Sequence, residues 1–201
     1  MGAEVLAWSF TSGWASGINA YAVVLVMGLM DRFWQIGEIP EVLARPDVLI
    51  VAGVLFLLES VADKIPYLDS AWDAIHLGVR PVVGAALGYL IGHEQSTSLA
   101  AALAATGGVT ALLAHLTKSG VRAGVNLSPE PVSNTVVSGA EDVTVVAVLG
   151  LAAAFPLVAA GIAGLLLLAG IIVGLMVMRA AARLRRRHAP GRVRVEQERS
   201  G

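Results

Sequence analysis

Two adjacent acids lie beside a long apolar stretch, where charged residues are rare. Glu141 and Asp142 precede a run from Val143 to Met178 that contains no charge. One membrane-spanning helix needs about 20 apolar residues and two need about 40. The uncharged run is too short for two helices, so the first of two helices would begin before it and include both acids. A charge near the bilayer centre costs roughly 2.5–3.5 kcal/mol. The two carboxylates therefore either bind a cation or carry protons, or they pair with a buried base and hold helices together.

A second pair of acids is spaced by one helical turn. Glu59 and Asp63 are four residues apart and lie on one face of a helix. In one interpretation they form a carboxylate pair that faces the first. In the other, Asp63 and the following Lys64 lie at the membrane interface, where charge is tolerated, and Glu59 alone is buried.

The third helix carries a charged face with the same periodicity. Asp73, His76 and Arg80 follow at i, i+3 and i+7. A contact between Asp73 and His76 would tune a proton-accepting imidazole. Alternatively this is a salt-bridged face at the start of the helix, with Arg80 as the counter-ion of a buried acid. Arg80 is deep enough to need a partner in either interpretation.

Two asparagines lie on polar stripes of apolar helices. Asn19 follows Ser9, Ser12 and Ser16 on one face of the first helix. This stripe either lines a wet cavity or is a packing seam in which serines bond across helices. Asn134 precedes Ser138 and Glu141 on another stripe. The predicted ion-binding or proton-carrying residues are Glu59, Asp63, Glu141, Asp142, Asn19 and Asn134, and the predicted counter-ions or gating residues are Arg80, Lys118, Asp73 and His76.

The composition excludes a soluble globular domain and a disordered chain. The 201 residues are 56% hydrophobic and only 14% charged, where soluble domains are about 25% charged. Absence of cysteine excludes disulfides and thiolate chemistry. Run lengths and prolines predict an all-α membrane protein of about six transmembrane helices. Their predicted spans are Val5–Met30, Pro46–Ile65, Trp72–Gly92, Thr97–Thr117, Val132 to about Ala154, and Pro156–Met178.

The net charge of −1 is the sum of two opposed regions. Residues 179–201 hold eight arginines and two glutamates, and residues 1–178 hold six bases and 13 acids. We therefore predict a six-helix transmembrane domain at 1–178 and an Arg-rich, disordered cytoplasmic tail at 179–201. Bases concentrate on the cytoplasmic side of membrane proteins, which places both termini in the cytoplasm.

A short internal similarity raises the question of a repeat. Residues 16–20 (Ser-Gly-Ile-Asn-Ala) are similar to residues 119–123 (Ser-Gly-Val-Arg-Ala). Three spans plus three spans would form an inverted repeat, a common transporter design. A five-residue similarity also arises by chance in a chain this rich in alanine, glycine and valine.

Several strings resemble a bacterial membrane family, the domain of unknown function 4126, from about Ser9 to Pro156. They are Ser16-Gly17-Ile18-Asn19-Ala20-Tyr21, Leu58-Glu59-x-x-Ala62-Asp63-Lys64-Ile65-Pro66, Arg80-Pro81, His115-Leu116-Thr117-Lys118 and Asn126-x-Ser128-Pro129-Glu130-Pro131. The resemblance implies an integral membrane protein and carries no activity. A fainter similarity is to cation exchangers with Glu-x-Gly-Asp-Lys motifs, from which Glu59-Ser-Val-Ala-Asp63-Lys64 departs by one extra residue and the missing glycine.

These observations favour a transporter or channel for a small ion, most simply a cation. Buried carboxylates and amide oxygens suit Mg²⁺, Ca²⁺, Mn²⁺ or Na⁺, with Glu59, Glu141 and Asp142 as the metal candidates. We expect no cofactor beyond such a cation, no nucleic acid, membrane lipids as partners, a homo-oligomer, and a bacterial inner-membrane location. One alternative is a non-transporting scaffold or lipid-binding protein with structural ion pairs. A minor alternative is an intramembrane, lipid-acting enzyme with Asp73/His76 or Glu141/Asp142 as acid–base groups.

Overall fold

The structure is a computed structural model that describes residues 2–62, 65, 68–125 and 131–188. The described residues form seven α-helices and one short 3-10 helix, and they include no strand. The helices are α1 (Gly2–Ile18), α2 (Ala20–Trp34), the 3-10 helix (Glu41–Ala44), α3 (Pro46–Ala62), α4 (Leu68–Gly92), α5 (Thr97–Val125), α6 (Pro131–Ala154) and α7 (Pro156–His188).

Four segments of these helices are long and apolar enough to cross a membrane: Ala71–Gly92, Thr97–Arg122, Thr135–Ala154 and Pro156–Ala180. The helix bounds agree with the predicted third to sixth spans within a few residues, except that α5 and α7 run further at their C-terminal ends. The all-helical, membrane-type fold is thus confirmed.

The N-terminal apolar run is not the single helix that its length predicts. It is divided into α1 and α2 at Asn19, which has an extended backbone with φ −149° and ψ 101°. Helix α3 is 17 residues long, at the lower limit for crossing a bilayer.

The C-terminal apolar helix continues beyond the predicted membrane span. Helix α7 runs past Met178 to His188, so the first part of the predicted tail is helical. Residues 189–201 lie outside the described residues.

Glycines let α1, α4 and α5 pack closely at the centre of the bundle. A Cβ on Gly13 would lie 2.5 Å from the carbonyl oxygen of Gly107, and one on Gly84 would lie 2.7 Å from the same atom. The Ser9 hydroxyl donates a hydrogen bond of 2.7 Å to the Leu103 carbonyl oxygen. Small residues and interhelical hydrogen bonds are the usual means of packing helices in lipid, so this face of α1 is a packing seam at Ser9 and Gly13.

Candidate functional site

Arg80 joins two acids and a histidine at a fully buried position, the Arg80 cluster (Glu59, Asp73, Arg80 and His115). Its Nη2 donates to Glu59 Oε1 at 2.7 Å and its Nη1 to Asp73 Oδ1 at 3.3 Å. The Arg80 and Glu59 side chains are each 0% exposed. Buried charges are costly unless they are paired, so the guanidinium and the carboxylates of this cluster depend on one another.

The histidine of this cluster acts as an acceptor. Arg80 Nη1 lies 2.6 Å from His115 Nδ1, and a guanidinium can only donate. His115 Nδ1 is therefore unprotonated, and the neutral ring carries its proton on Nε2. The remaining Asp73 oxygen, Oδ2, accepts a hydrogen bond of 3.1 Å from the Ser119 hydroxyl.

His76 contacts aromatic residues and does not form the predicted pair with Asp73. Its Nδ1 lies 2.8 Å from the Trp72 carbonyl oxygen and must donate to it, so Nε2 accepts from the Tyr21 hydroxyl at 3.1 Å. The imidazole stacks on Trp72 with ring centroids 4.9 Å apart. Both polar atoms of His76 and both oxygens of Asp73 have other partners, which favours the salt-bridge interpretation of this face.

Asn19 and Lys118 replace one backbone hydrogen bond at the break between α1 and α2. In a continuous helix the Ala22 N–H would donate to the Ile18 carbonyl oxygen. Here the Ala22 N–H donates to Asn19 Oδ1 at 2.9 Å, and the Lys118 ammonium donates to the Ile18 carbonyl oxygen at 2.8 Å. Two side chains thus satisfy the Ala22 N–H and the Ile18 carbonyl oxygen, which the break separates, as an apolar environment requires.

Charges at the break match the two helix ends. The Asn19 amide nitrogen donates to Asp142 Oδ1 at 3.0 Å, which holds a carboxylate beside the N-terminus of α2. Lys118 lies at the C-terminus of α1. A helix dipole favours an anion at its N-terminus and a cation at its C-terminus, so both residues are electrostatically suited to their positions.

Glu141 lies in a second ionic group beside this break, the Glu141 cluster (Asn19, Lys118, Arg122, Glu141 and Asp142). Glu141 Oε2 accepts from Arg122 Nη2 at 2.8 Å and lies 3.2 Å from Lys118 Nζ. The Glu141 side chain is 18% exposed. A cavity of about 330 Å³ reaches Lys118 and Glu141, with Trp14 and Leu167 on its walls. The Glu141 cluster therefore borders a cavity, whereas Arg80 and Glu59 of the Arg80 cluster are fully buried and Asp73 is 13% exposed.

Most of the predicted site residues thus fall into two contact groups along one face of α5, and His76 contacts Trp72 and Tyr21 outside both groups. Helix α5 supplies His115 to one group and Lys118 and Arg122 to the other. Sequence reasoning missed the contacts of His115 and Arg122. The signal was the spacing His115, Lys118, Arg122 at i, i+3 and i+7, which is one helical face.

Two predicted residues cannot be placed in either group. Asp63 lies outside the described residues, and of Asn134 only the backbone, in the first turn of α6, is described. Among the residues the structure describes, no three His, Cys, Asp or Glu side chains group so as to hold a metal ion. The metal candidates are divided, with Glu59 in the Arg80 cluster and Glu141 and Asp142 at the break.

Comparison with known proteins gives one match. The model of a family described as Domain of unknown function (DUF4126) matches residues 6–175. No curated protein and no solved structure matches the chain.

Proposed function

Because the chain belongs to the DUF4126 family, whose description carries no activity, we propose its function from geometry: an integral membrane transporter for a small cation, exchanged for protons at the Glu141 cluster. The observation that supports it is the helix break at Asn19, with the buried Lys118 at one of its ends and the half-buried Asp142 at the other. Broken helices whose ends face charged residues are a recurrent design of ion-binding sites in transporters.

Oxygen atoms are concentrated at the break. The Ile18 carbonyl, the Asn19 amide and the carboxylates of Glu141 and Asp142 are hard ligands suited to Na⁺, K⁺, Mg²⁺ or Ca²⁺. Lys118 holds two of these groups, the Ile18 carbonyl and Glu141. An entering cation competes with Lys118 for both.

Charge balance couples this competition to a proton. The Glu141 cluster contains two bases, Lys118 and Arg122, and two acids, Glu141 and Asp142, so it is neutral without a bound ion. A bound cation adds charge in a poorly hydrated environment. We assign proton release to Lys118 Nζ, because Lys118 contacts both the Ile18 carbonyl oxygen and Glu141, whereas an arginine keeps its charge. Cation entry is thereby matched by proton exit.

The proposed membrane topology has six crossings. The helices α1 and α2 together form the first, and α3 forms the second. The four segments long and apolar enough to cross a membrane form the rest. We assign both termini to the cytoplasm of a bacterial cell, because arginines are concentrated after the last apolar span, and we expect these arginines to contact anionic lipid headgroups. Three crossings related to three by an inverted repeat, and a homo-oligomer, complete this proposal.

The test is cation-driven proton flux in proteoliposomes that contain the full chain and an internal pH dye. We expect Na⁺, K⁺, Mg²⁺, Ca²⁺ or Mn²⁺ added outside to change the internal pH, and Glu141→Gln to reduce the rate more than tenfold, since 1.4 kcal/mol of lost interaction gives a factor of ten. Asp47→Asn is the matched control, because Asp47 is an exposed acid outside both clusters. Equal rates in Glu141→Gln and wild type contradict the mechanism.

A second function is favoured by the ion pairs. Glu59 and Asp73 are paired with Arg80, and Glu141 with Lys118 and Arg122, as in a non-transporting scaffold or lipid-binding protein. This alternative predicts that the wild-type protein gives no flux with any of the five cations. It also predicts that Glu141→Gln lowers the stability of the protein and changes nothing else that these assays measure.

A further inference from the structure

A separate cavity of about 540 Å³ lies where α2 and α4 end. Its walls come from the end of α2, the segment leading into the 3-10 helix, and the turn after α4. No residue of the Arg80 or Glu141 clusters lines it. We name it the acidic vestibule, after the four carboxylate residues on its walls: Asp31, Glu38, Glu41 and Glu94.

The acidic vestibule has an excess of negative charge. The walls hold four acids and the base Arg32. The Nη1 of Arg32 donates a hydrogen bond of 3.2 Å to the Ala44 carbonyl oxygen. Carboxylates that line a concave surface reinforce one another's field and attract cations. The vestibule therefore selects the sign of its ligand.

Asp31 gives a second and independent indication of a ligand. Its side chain lines the vestibule and is 9% exposed. Within the described ranges, 2–62, 65, 68–125 and 131–188, no protein group donates a hydrogen bond to its carboxylate or forms an ion pair with it. A carboxylate on a largely buried residue with no protein partner is stabilised by a cation beside it, and the vestibule has room for one.

The walls point to the size and shape of that cation. The acids lie on separate segments, and the part of the chain that the structure describes has no group of three side chains suited to a metal ion. The walls also include apolar side chains, among them Ile36, Ile39 and Ile91. The volume is in the range of about 300–1,000 Å³ that is typical of small-molecule sites.

We propose that the acidic vestibule binds an organic cation with two or more ammonium groups joined by methylene chains. One ammonium pairs with Asp31, a second pairs with an acid near the rim such as Glu94, and the methylenes lie on the isoleucines. This site goes beyond the transport mechanism, because binding here does not require flux through the Glu141 cluster.

The test is calorimetric titration of the detergent-purified full chain with spermidine, butylamine and Mg²⁺ at matched ionic strength. Wild type should bind spermidine more tightly than either of the other probes. Asp31→Asn should weaken spermidine binding on the order of tenfold or more, since a hydrogen bond to a charged group is lost. Asp47→Asn, which removes an exposed acid outside the vestibule, should leave it unchanged.

Glu94→Gln keeps the test valid if Asp31→Asn fails to fold, because Glu94 is exposed in the turn after α4. It should weaken spermidine binding about threefold, as a partly solvated ion pair does. Absence of spermidine binding to wild type overturns the proposal. So does Mg²⁺ binding as tight as spermidine binding, or equal affinity in wild type and both vestibule variants. Loss of flux in Glu141→Gln with unchanged spermidine affinity would separate the two sites.

Discussion

The Arg80 cluster and the Glu141 cluster contain the same kinds of charge in different surroundings. Arg80 and Glu59 are 0% exposed, and the contacts of Arg80 join α3, α4 and α5. Glu141 is 18% exposed beside a cavity and a broken helix. Buried charge without access stabilises a packing arrangement, whereas buried charge with access can also change partners. This contrast is the basis for proposing a structural role for the Arg80 cluster and ion exchange at the Glu141 cluster.

The largest expected effect comes from removing the base of the enclosed cluster. Arg80→Met removes the guanidinium that pairs with Glu59 and Asp73, and breaking a buried pair in this way destabilises by about 3–5 kcal/mol. The measurement is unfolding by sodium dodecyl sulfate in mixed micelles. The double variant Glu59→Gln with Arg80→Met should recover part of the loss, and a single variant as stable as wild type would contradict a structural role.

Lys118→Met should affect both stability and flux. The Ile18 carbonyl loses its donor and Glu141 loses one of its two cations, so we expect destabilisation of about 1–3 kcal/mol. Proton-coupled flux should stop, because Nζ is the proposed proton carrier. The informative control is Lys118→Arg, which keeps the charge and the donor but does not release a proton. Flux in Lys118→Arg equal to wild type would exclude Lys118 as the carrier.

Substitutions at Asn19 separate the two functions of its amide. Asn19→Ala removes the cap of α2 and should destabilise by about 1 kcal/mol. Asn19→Ser keeps a capping oxygen but loses the hydrogen bond to Asp142, so it should retain stability and lose flux. Unfolding and proteoliposome assays on the same preparations test this. Equal stability of the two variants would show that the cap has no role.

The smallest effect is expected at an exposed pair, Arg45 and Asp47, which is the solvated counterpart of both clusters. Arg45 donates two hydrogen bonds to Asp47, at 3.1 and 2.7 Å. Both side chains are more than half exposed, so Arg45→Ala should leave the melting temperature at pH 7 unchanged within error. A decrease in melting temperature as large as the one caused by Lys118→Met would contradict this ranking of effects.

The helices were predictable because lipid imposes a length and an apolar composition on each span. The limits of α6 followed from the uncharged run after Asp142, which is too short for two helices unless α6 begins upstream. The break between α1 and α2 was not predictable in this way. An uncharged run of 26 residues looks continuous unless the partners of its backbone are known, and Lys118 is 100 residues from Ile18 in the chain.

The sequence alone determined that this chain is a helical membrane protein with acids and bases on apolar helices, since hydropathy and helical spacing are local properties. The sequence also contains the strings that resemble the DUF4126 family, and the match of the family model to residues 6–175 confirms that resemblance. Only the tertiary structure decided that Arg80 pairs with Glu59 and that Asp31 faces an acidic vestibule. It also decided that Lys118 and Asn19 hydrogen-bond to the backbone at the break between α1 and α2. Those facts depend on which helix faces turn toward one another, and pairwise electrostatics in a bundle are set by packing distance, not by position along the chain.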